Sequence, residues 1–477
     1  MKWSRVINIL LVILVVRNVG MEPSARIYAE QGIDKQPIVY AGGQFSGVVS
    51  SDGSVWSWGY NGSVTFQQNN RGMQLGRGPT ELEANPLPKL ASLVTVKPVQ
   101  ISASHTATYA LIPEGEIIAW GSNQNGLLGN GGLDGGIPSP VLMSRNQKLS
   151  DIVSVDGGEG HGTALRRDGT IWSWGGNYHG QVGNGKTSTN EQYATQVKGP
   201  GGVGYLTNIT SVSAGLNHTV AIASNGTLWA WGNNGYGQLG VNTPSNIGSY
   251  YPVHMGTSFN EVKAVSAGRD FTVALKSDGT VWSWGQNIIG QLGDGTKLKR
   301  IGPVQVKGPG GQGFLDQIVA IKSGISHTLA LRADGTVWSW GENTNGQLGI
   351  GSLTRSNIPV QVQFKDEPGQ SIKIQSIDAG GTHNIALSTD KKLFTWGTNF
   401  NGGLGVGDTV NRTSPVQVDW QDSIKVSKPV YTTSYVYDAN GRLLRKTTSR
   451  HDGTASSTYQ YTYDRNGNLK HTKVTHP

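Results

Sequence analysis

The sequence predicts an all-β fold: a seven-bladed β-propeller over residues 38–418 and a small β-hairpin tail over 431–477. Three observations carry this. Trp-Gly recurs seven times, beginning at Trp58, Trp120, Trp174, Trp231, Trp284, Trp340 and Trp396, with gaps of 62, 54, 57, 53, 56 and 56 residues. A near-fixed period of that size marks one supersecondary unit repeated around a ring or along a line. Inside each unit, short alternating runs separated by turn residues have the pattern of a small antiparallel sheet. The first and last units match the others as well as those match one another, whereas an open solenoid needs atypical terminal caps. A closed ring of four-stranded units is the remaining solution.

Residues 318–362 illustrate one unit. VAIKS and HTLAL alternate apolar with small or polar residues, as half-buried strands do. Asp334-Gly335 follows, a hairpin signal because glycine tolerates positive φ. The next strand is TVWSW, in which Trp338 and Trp340 are two apart and share a face. The loop NTNGQLG then leads to a last short strand, PVQV. The turn recurs as Asp52-Gly53, Glu114-Gly115, Asp168-Gly169, Asn225-Gly226 and Asp278-Gly279, and the seventh unit departs from it with Asp390-Lys391-Lys392.

The pattern G-x-x-H-[ST]-x-A-L, DGTVWSWG, N-x-x-G-Q-L-G resembles the RCC1 (regulator of chromosome condensation) repeat. The resemblance covers roughly residues 38–418 and implies a seven-bladed propeller. Departures are Phe45 and Phe271, where other units carry histidine, and a longer insert at 62–98 in the first unit.

The two ends read differently. Lys2 and Arg5 precede an apolar run over 6–16, too short for a confident membrane span. With Ile27-Tyr28-Ala29 before Glu30, residues 1–29 suit a secretory signal peptide, leaving no stable span once cleaved. The chain has no cysteine, so no disulfide framework is available. Export without disulfides leads us to expect a secreted or cell-surface bacterial protein. At the other end, YVYDANGRLL and YTYDRNGNLK stand 26 residues apart, each a strand, an Asn-Gly turn and a second strand. These resemble the YD repeats of RHS proteins, and residues 431–477 are expected to form two such hairpins.

Charge narrows the partners. Of the net +8, +3 lies in residues 1–29 and +4 in 430–477, which leaves +1 for the propeller. Nucleic-acid binding needs a clustered basic face, so none is expected. No HExxH, GxSxG or P-loop signature is present, and no cofactor, metal or enzymatic activity is expected.

His105, His161, His218, His327 and His383 read as one equivalent position in five units. Equivalent positions lie far apart around a ring, so each is expected to do a per-blade structural job rather than to build a metal centre. The seven tryptophans of the Trp-Gly pairs are likewise expected to be core or inter-blade packing. The loop after Trp-Gly is different: between a fixed Asn and a fixed Gly sit two changing residues, as in a scaffold that displays loops. Tyr178, His179, Tyr236, Ile288, Ile289 and Phe400 are the binding candidates, on tips expected to share one face. The reading is a monomeric propeller that binds an unidentified protein or cell-surface polymer. The alternatives are a guanine-nucleotide exchange factor-like regulator of a small GTPase, and a carbohydrate or wall-polymer binder.

Overall fold

The computed structural model describes residues 36–62, 73–77, 84–241, 248–364, 372–420, 431–437, 443–450, 456–463 and 469–475. The expected leader, much of the first unit's insert and both Asn-Gly turns of the tail lie outside them. The chain divides into two compact units, Met1–Trp420 and Gln421–Pro477.

The first unit holds seven four-stranded antiparallel sheets, each a meander of strands consecutive in sequence. The blades span 38–90, 100–140, 152–196, 209–254, 262–305, 318–361 and 374–418. The first strand of every blade lines a central channel. Because each sheet is a meander, the loops joining strands one to two and three to four leave at one end of the disc. The Asp-Gly hairpins and the blade-to-blade connections leave at the other. Three single 3-10 turns, at Gln124–Gly126, Pro200–Gly202 and Pro309–Gly311, are the helical elements among the described residues.

The core lies between blades. One cluster joins Leu275 and Val281 of the fifth blade to Ile318, Ile321 and Trp340 of the sixth. Each blade is thus covered on both faces by its neighbours. This corrects the half-buried expectation for the second strands: His327–Arg332 is buried at every residue but its last, so its alternate Thr328 and Ala330 are core too. All seven tryptophans of the Trp-Gly pairs are fully buried.

The ring closes between the seventh and first blades without a shared strand. Val39, Val48 and Trp58 pack against Ile385, Leu387 and Leu393. Asp378 Oδ2 accepts the Ala41 N–H at 2.9 Å, and Trp58 Nε1 donates to the Gly403 carbonyl at 2.9 Å. The tryptophan bond recurs at all the other joints, and a side-chain acceptor for the next blade's N–H recurs at four of them.

Glycine after each of these tryptophans has a steric cause. All seven have φ between 98° and 112°, a region that favours glycine. A Cβ on Gly341 would also lie 2.4 Å from the Ser326 carbonyl oxygen. The hairpins differ slightly from a two-residue turn. Arg166 N–H bonds to Thr170 O at 2.9 Å, enclosing Arg167, Asp168 and Gly169. This is the three-residue loop with a left-handed glycine, and Asp168 Oδ1 accepts from Thr170 N–H at 3.0 Å. In the seventh blade Lys391 takes the glycine's place at φ 65°.

The second unit is one four-stranded antiparallel sheet, Tyr431–Tyr437, Leu443–Arg450, Ser456–Tyr463 and Leu469–Thr475 in that order. The two expected hairpins are therefore joined by pairing of their inner strands.

Candidate functional site

The loops after Trp-Gly are rigid for reasons written in their fixed residues. The buried Asn at each loop start spans the loop. Asn287 Oδ1 accepts the Leu292 N–H at 3.0 Å, while its Nδ2 donates to the carbonyls of Thr296 and Leu298 at 3.2 and 3.1 Å. Asn123, Asn343 and Asn399 make equivalent sets. The Gln of GQLG works in two directions. Gln238 Oε1 accepts the N–H of the tip residue Tyr236 at 3.0 Å. Its main-chain carbonyl accepts Trp284 Nε1 of the next blade at 2.9 Å. The same tryptophan bond to the preceding blade's loop occurs at all seven interfaces. The loop is therefore part of the blade-to-blade joint, and its tip is held still.

Four of the six candidate tip residues stand in water: Tyr178 is 57% exposed, Tyr236 42%, Ile288 66% and Phe400 62%. His179 and Ile289 are half-buried; the His179 ring lies 3.4 Å from Asn233 Nδ2 of the next blade. Tyr178, Tyr236 and Ile288 come from successive blades, three to five, whereas Phe400 sits apart on the seventh. Sequence reasoning missed exposed apolar neighbours at the same end of the disc, among them Tyr250, Ile301 and Leu298. They follow the tip in the loop or start the outer strand, and the strand pattern carries no signal that their side chains stay uncovered. Tips and outer strands adjoin: a Cβ on Gly237 would meet the Ile301 main chain at 2.8 Å.

At the opposite end, Tyr205 and Phe314 are each 50% exposed. Their ring faces are covered by the chain's own Lys198 and Lys307, at 4.6 and 5.1 Å.

The recurring histidines join blades. His161 Nε2 is hydrogen-bonded to Thr219 Oγ1 at 2.8 Å, His218 to Thr272 at 3.0 Å, His327 to Asn384 at 2.7 Å and His383 to Ser46 at 2.7 Å. Burial pulls their pKa values down, to about 4 for His161, His327 and His383 and about 3 for His218. His105 does not belong to this set. Ala107 pairs with Gly121 as His327 pairs with Gly341, so the second blade has alanine at the ring position. His105 lies two residues earlier, in the loop at the axis. Counting back eight residues from the hairpin glycine, or from Lys391 in the seventh blade, finds the right position in every blade. The local string SHT, shared with the sixth blade, hides it.

The position two before the ring residue forms the mouth of the channel on the loop face. Its occupants are Gly43, His105, Glu159, Leu216, Arg269, Ile325 and Gly381, around a cavity of about 80 Å³. Main-chain bonds knit this mouth. Gly43 N–H donates to His105 O, Glu159 to Gly215 O, Ile325 to Gly381 O and Gly381 to Gly42 O, at 2.9–3.2 Å. Burial raises the Glu159 carboxyl to about 6, with Arg269 opposing that rise and Asp270 adding to it. Burial likewise raises Asp270, and lowers His105 with help from Arg269.

Beyond a collar of small residues the channel widens to about 400 Å³. Here side chains rather than main chain link the blades. Asp156, Ser213 and Ser266 accept the N–H groups of Ala214, Ala267 and Ser323 in the following blade. Lys322 cannot accept, and instead pairs with Asp378 at 3.1 Å. Among the described residues no group of three or more His, Cys, Asp or Glu could hold a metal ion, and no helix is long and apolar enough to cross a membrane.

Comparison with known proteins places this geometry. The RCC1-like domain signature matches residues 18–312, and the RCC1 repeat signature matches 334–387 and 390–430. An RHS repeat signature matches 437–477. The chain is 30% identical over 387 residues to the ultraviolet-B receptor UVR8 of Arabidopsis thaliana, covering 79% of this chain and 80% of that one. It is 30% identical over 370 residues to the human E3 ubiquitin-protein ligase HERC2, of which the match covers 7%. Among solved structures, Prp20p of Saccharomyces cerevisiae, described with binding properties to Gsp1p and histones, superposes with a TM-score of 0.62 at 20% identity. That match covers 83% of this chain and 90% of that one. Human WBSCR16 superposes with a TM-score of 0.61 at 21% identity, covering 77% and 95%.

Proposed function

The chain belongs to the family of RCC1-like propellers, and from that premise we propose that it is a non-enzymatic scaffold that binds another protein through its loop face. One observation carries the reading. A buried Asn pins each loop, joined by a buried Gln in blades three to six, while Tyr178, Tyr236, Ile288 and Phe400 are held outward on the pinned tips. Leaving a large apolar side chain in water forgoes about 1.5–3 kcal/mol of burial, and a partner surface recovers it. Rigid display also lowers the ordering cost of association. The relatives support a regulator or protein-binding role at the family level, and Prp20p is described as binding proteins. The carbohydrate alternative is less well supported, since the Tyr205 and Phe314 faces are already occupied by lysines.

The test is partner capture by the full chain. Replacing Tyr178, Tyr236, Ile288 and Phe400 together with Ser should abolish capture of a micromolar partner, since interface anchors often cost about 2 kcal/mol or more each. The melting temperature should stay within a few degrees. Neutralising Lys297, Lys299 and Arg300 instead should leave capture intact. The reverse outcome would identify an acidic polymer as the ligand.

We propose further that the protein acts outside the cell, as a single copy. Support comes from Lys2, Arg5, the apolar run over 6–16 and the Ile27-Tyr28-Ala29 site. N-terminal sequencing of protein from culture medium should begin near Glu30. An intact Met1 on cytosolic protein contradicts export.

A further inference from the structure

The seventh loop departs from the others at one framework position. The residue whose carbonyl accepts the next blade's tryptophan is Gln74, Leu127, Gln181, Gln238, Gln291 or Gln347 in the first six loops, and Gly403 in the seventh. The backbone does not ask for glycine here. Gly403 is not among the residues at positive φ, whereas its neighbour Gly402 is. A Cβ on Gly403 would meet nothing closer than the Gln44 carbonyl oxygen at 3.1 Å, a contact that a small shift relieves.

What a side chain does at this position is visible in the fifth blade. Gln291 Oε1 accepts the N–H of the tip residue Ile289 at 3.2 Å, and its Nε2 donates to Gln286 Oε1 at 3.1 Å. Gln286 directly follows Trp284-Gly285, as Thr398 follows Trp396-Gly397, and Asn401 stands where Ile289 does. Asn401 N–H has no acceptor among the described residues. Thr398 Oγ1 is buried without a partner, in a residue 7% exposed. In the third and fourth blades the glutamine Nε2 turns instead to Asn217 or Asp270 of the next blade. Their counterpart, Gln44, is already bonded to the Asn401 side chain, which leaves Thr398 as the free acceptor.

Thr398 and Asn401 line a cavity of about 10 Å³ at the joint of the seventh and first blades, with Gln44, His383 and Gly403. Space of that size takes one polar head group. The lining favours a neutral one. It holds no carboxylate, lysine or arginine, so an ion placed there would give up its hydration with nothing to replace it. It also requires an acceptor, because Asn401 N–H can only donate. A carboxamide supplies that acceptor and a donor for Thr398 Oγ1 beside it, as Gln291 does in the fifth blade. Phe400, 62% exposed on the same cavity, offers apolar surface to the stem of such a side chain.

We propose that this notch beside Phe400 is a binding site for a primary carboxamide, supplied by an asparagine or glutamine side chain of the partner, which completes the seventh loop as Gln291 completes the fifth. That the side chain comes from a protein partner rests on the loop-face reading above; the affinity of the notch for a carboxamide does not.

The probe is propionamide, the glutamine side chain cut at its Cβ, titrated into the full chain labelled with 15N-asparagine and followed by NMR. Butanone, which keeps the shape and the acceptor but has no donor, and propionate, which adds a charge, are titrated beside it. Propionamide should shift the Asn401 N–H resonance saturably, on the order of 10 mM. It should bind at least about threefold tighter than either analogue, the scale of one neutral hydrogen bond. Thr398→Val should remove the advantage over butanone. Gly403→Gln should abolish propionamide binding, keep the melting temperature and move the Asn401 resonance in the direction that propionamide moves it. No saturable shift, equal binding of butanone or propionate, an advantage over butanone that survives Thr398→Val, or propionamide binding that survives Gly403→Gln overturns the proposal. If Gly403→Gln does not fold, the Thr398→Val comparison decides alone. Partner capture separates the two readings. Gly403→Gln should lower it; full capture by this variant overturns the partner side chain and leaves the loop face standing. Capture lost by Gly403→Gln but kept by the quadruple tip variant sinks the tip reading while the notch stands.

Discussion

At the scale of single residues, the blade joints are a repeated pairing of a ring residue with a polar residue in the next blade, and the exceptions are informative. Phe271 stands where histidine would face Thr328, and Thr328 Oγ1 is buried without a partner. One joint along, Thr272 Oγ1 meets both His218 Nε2 at 3.0 Å and Gln238 O at 2.9 Å. Removing an unsatisfied buried hydroxyl is favourable, whereas removing a satisfied one strands its partners. Thr328→Val should therefore raise stability by about 1 kcal/mol, and Thr272→Val should lower it by about 1–3 kcal/mol. Chemical denaturation of both variants checks the pair; the same sign for both contradicts the assignment. The phenylalanine substitutions were visible in the sequence. Their consequence was not, because the facing residue lies in another blade, 57 residues away in the case of Phe271. The His105 misassignment has a similar origin: a short local match outweighed the count from the hairpin glycine, which alone reports strand register.

At the scale of elements, the repeat was legible because its strongest letters have steric causes. Glycine after tryptophan marks a positive-φ residue against a neighbouring carbonyl, and Asp-Gly marks the hairpin. Burial of the second strand on both faces was not legible, since alternation implies one wet face and only ring packing covers the other. The seventh hairpin offers a direct test. Lys391 holds φ 65° where six blades have glycine, and a non-glycine residue in this region costs roughly 1 kcal/mol. Lys391→Gly should accordingly stabilise the protein by a few tenths to about 1 kcal/mol, less any loss of flexibility gained by the unfolded chain. A destabilisation of more than 1 kcal/mol would show that the Lys391 side chain contributes more than its backbone strain costs. The loop tips belong to this scale as well. Their variability was readable in sequence, but their exposure was not, and His179 and Ile289 proved half-buried beside Tyr178 and Ile288.

At the scale of the whole molecule, four buried histidines bridge four blade joints, so the ring should respond to acid as a unit. Their folded pKa values, about 3 to 4, lie below the value near 6.5 expected for an unfolded chain. Between those limits the unfolded state binds more protons, so stability is complete above pH 6.5 and declines as pH falls towards 4. Glu159, raised to about 6, and Asp270, also raised by burial, act in the opposite direction, but they are two groups against four. The melting temperature should fall by roughly 5–10 °C between pH 6.5 and 4, and a flat profile over that window contradicts the buried neutral histidines. The loop end of this disc is the proposed binding end. Site-specific photo-crosslinking tests it most directly, with benzoylphenylalanine placed at Ile288 or Phe400 on the loop face, or at Asp278 on an exposed hairpin of the opposite face. Adducts with the same partner should form from positions 288 and 400 and none from 278; adducts from 278 alone would contradict a binding loop face.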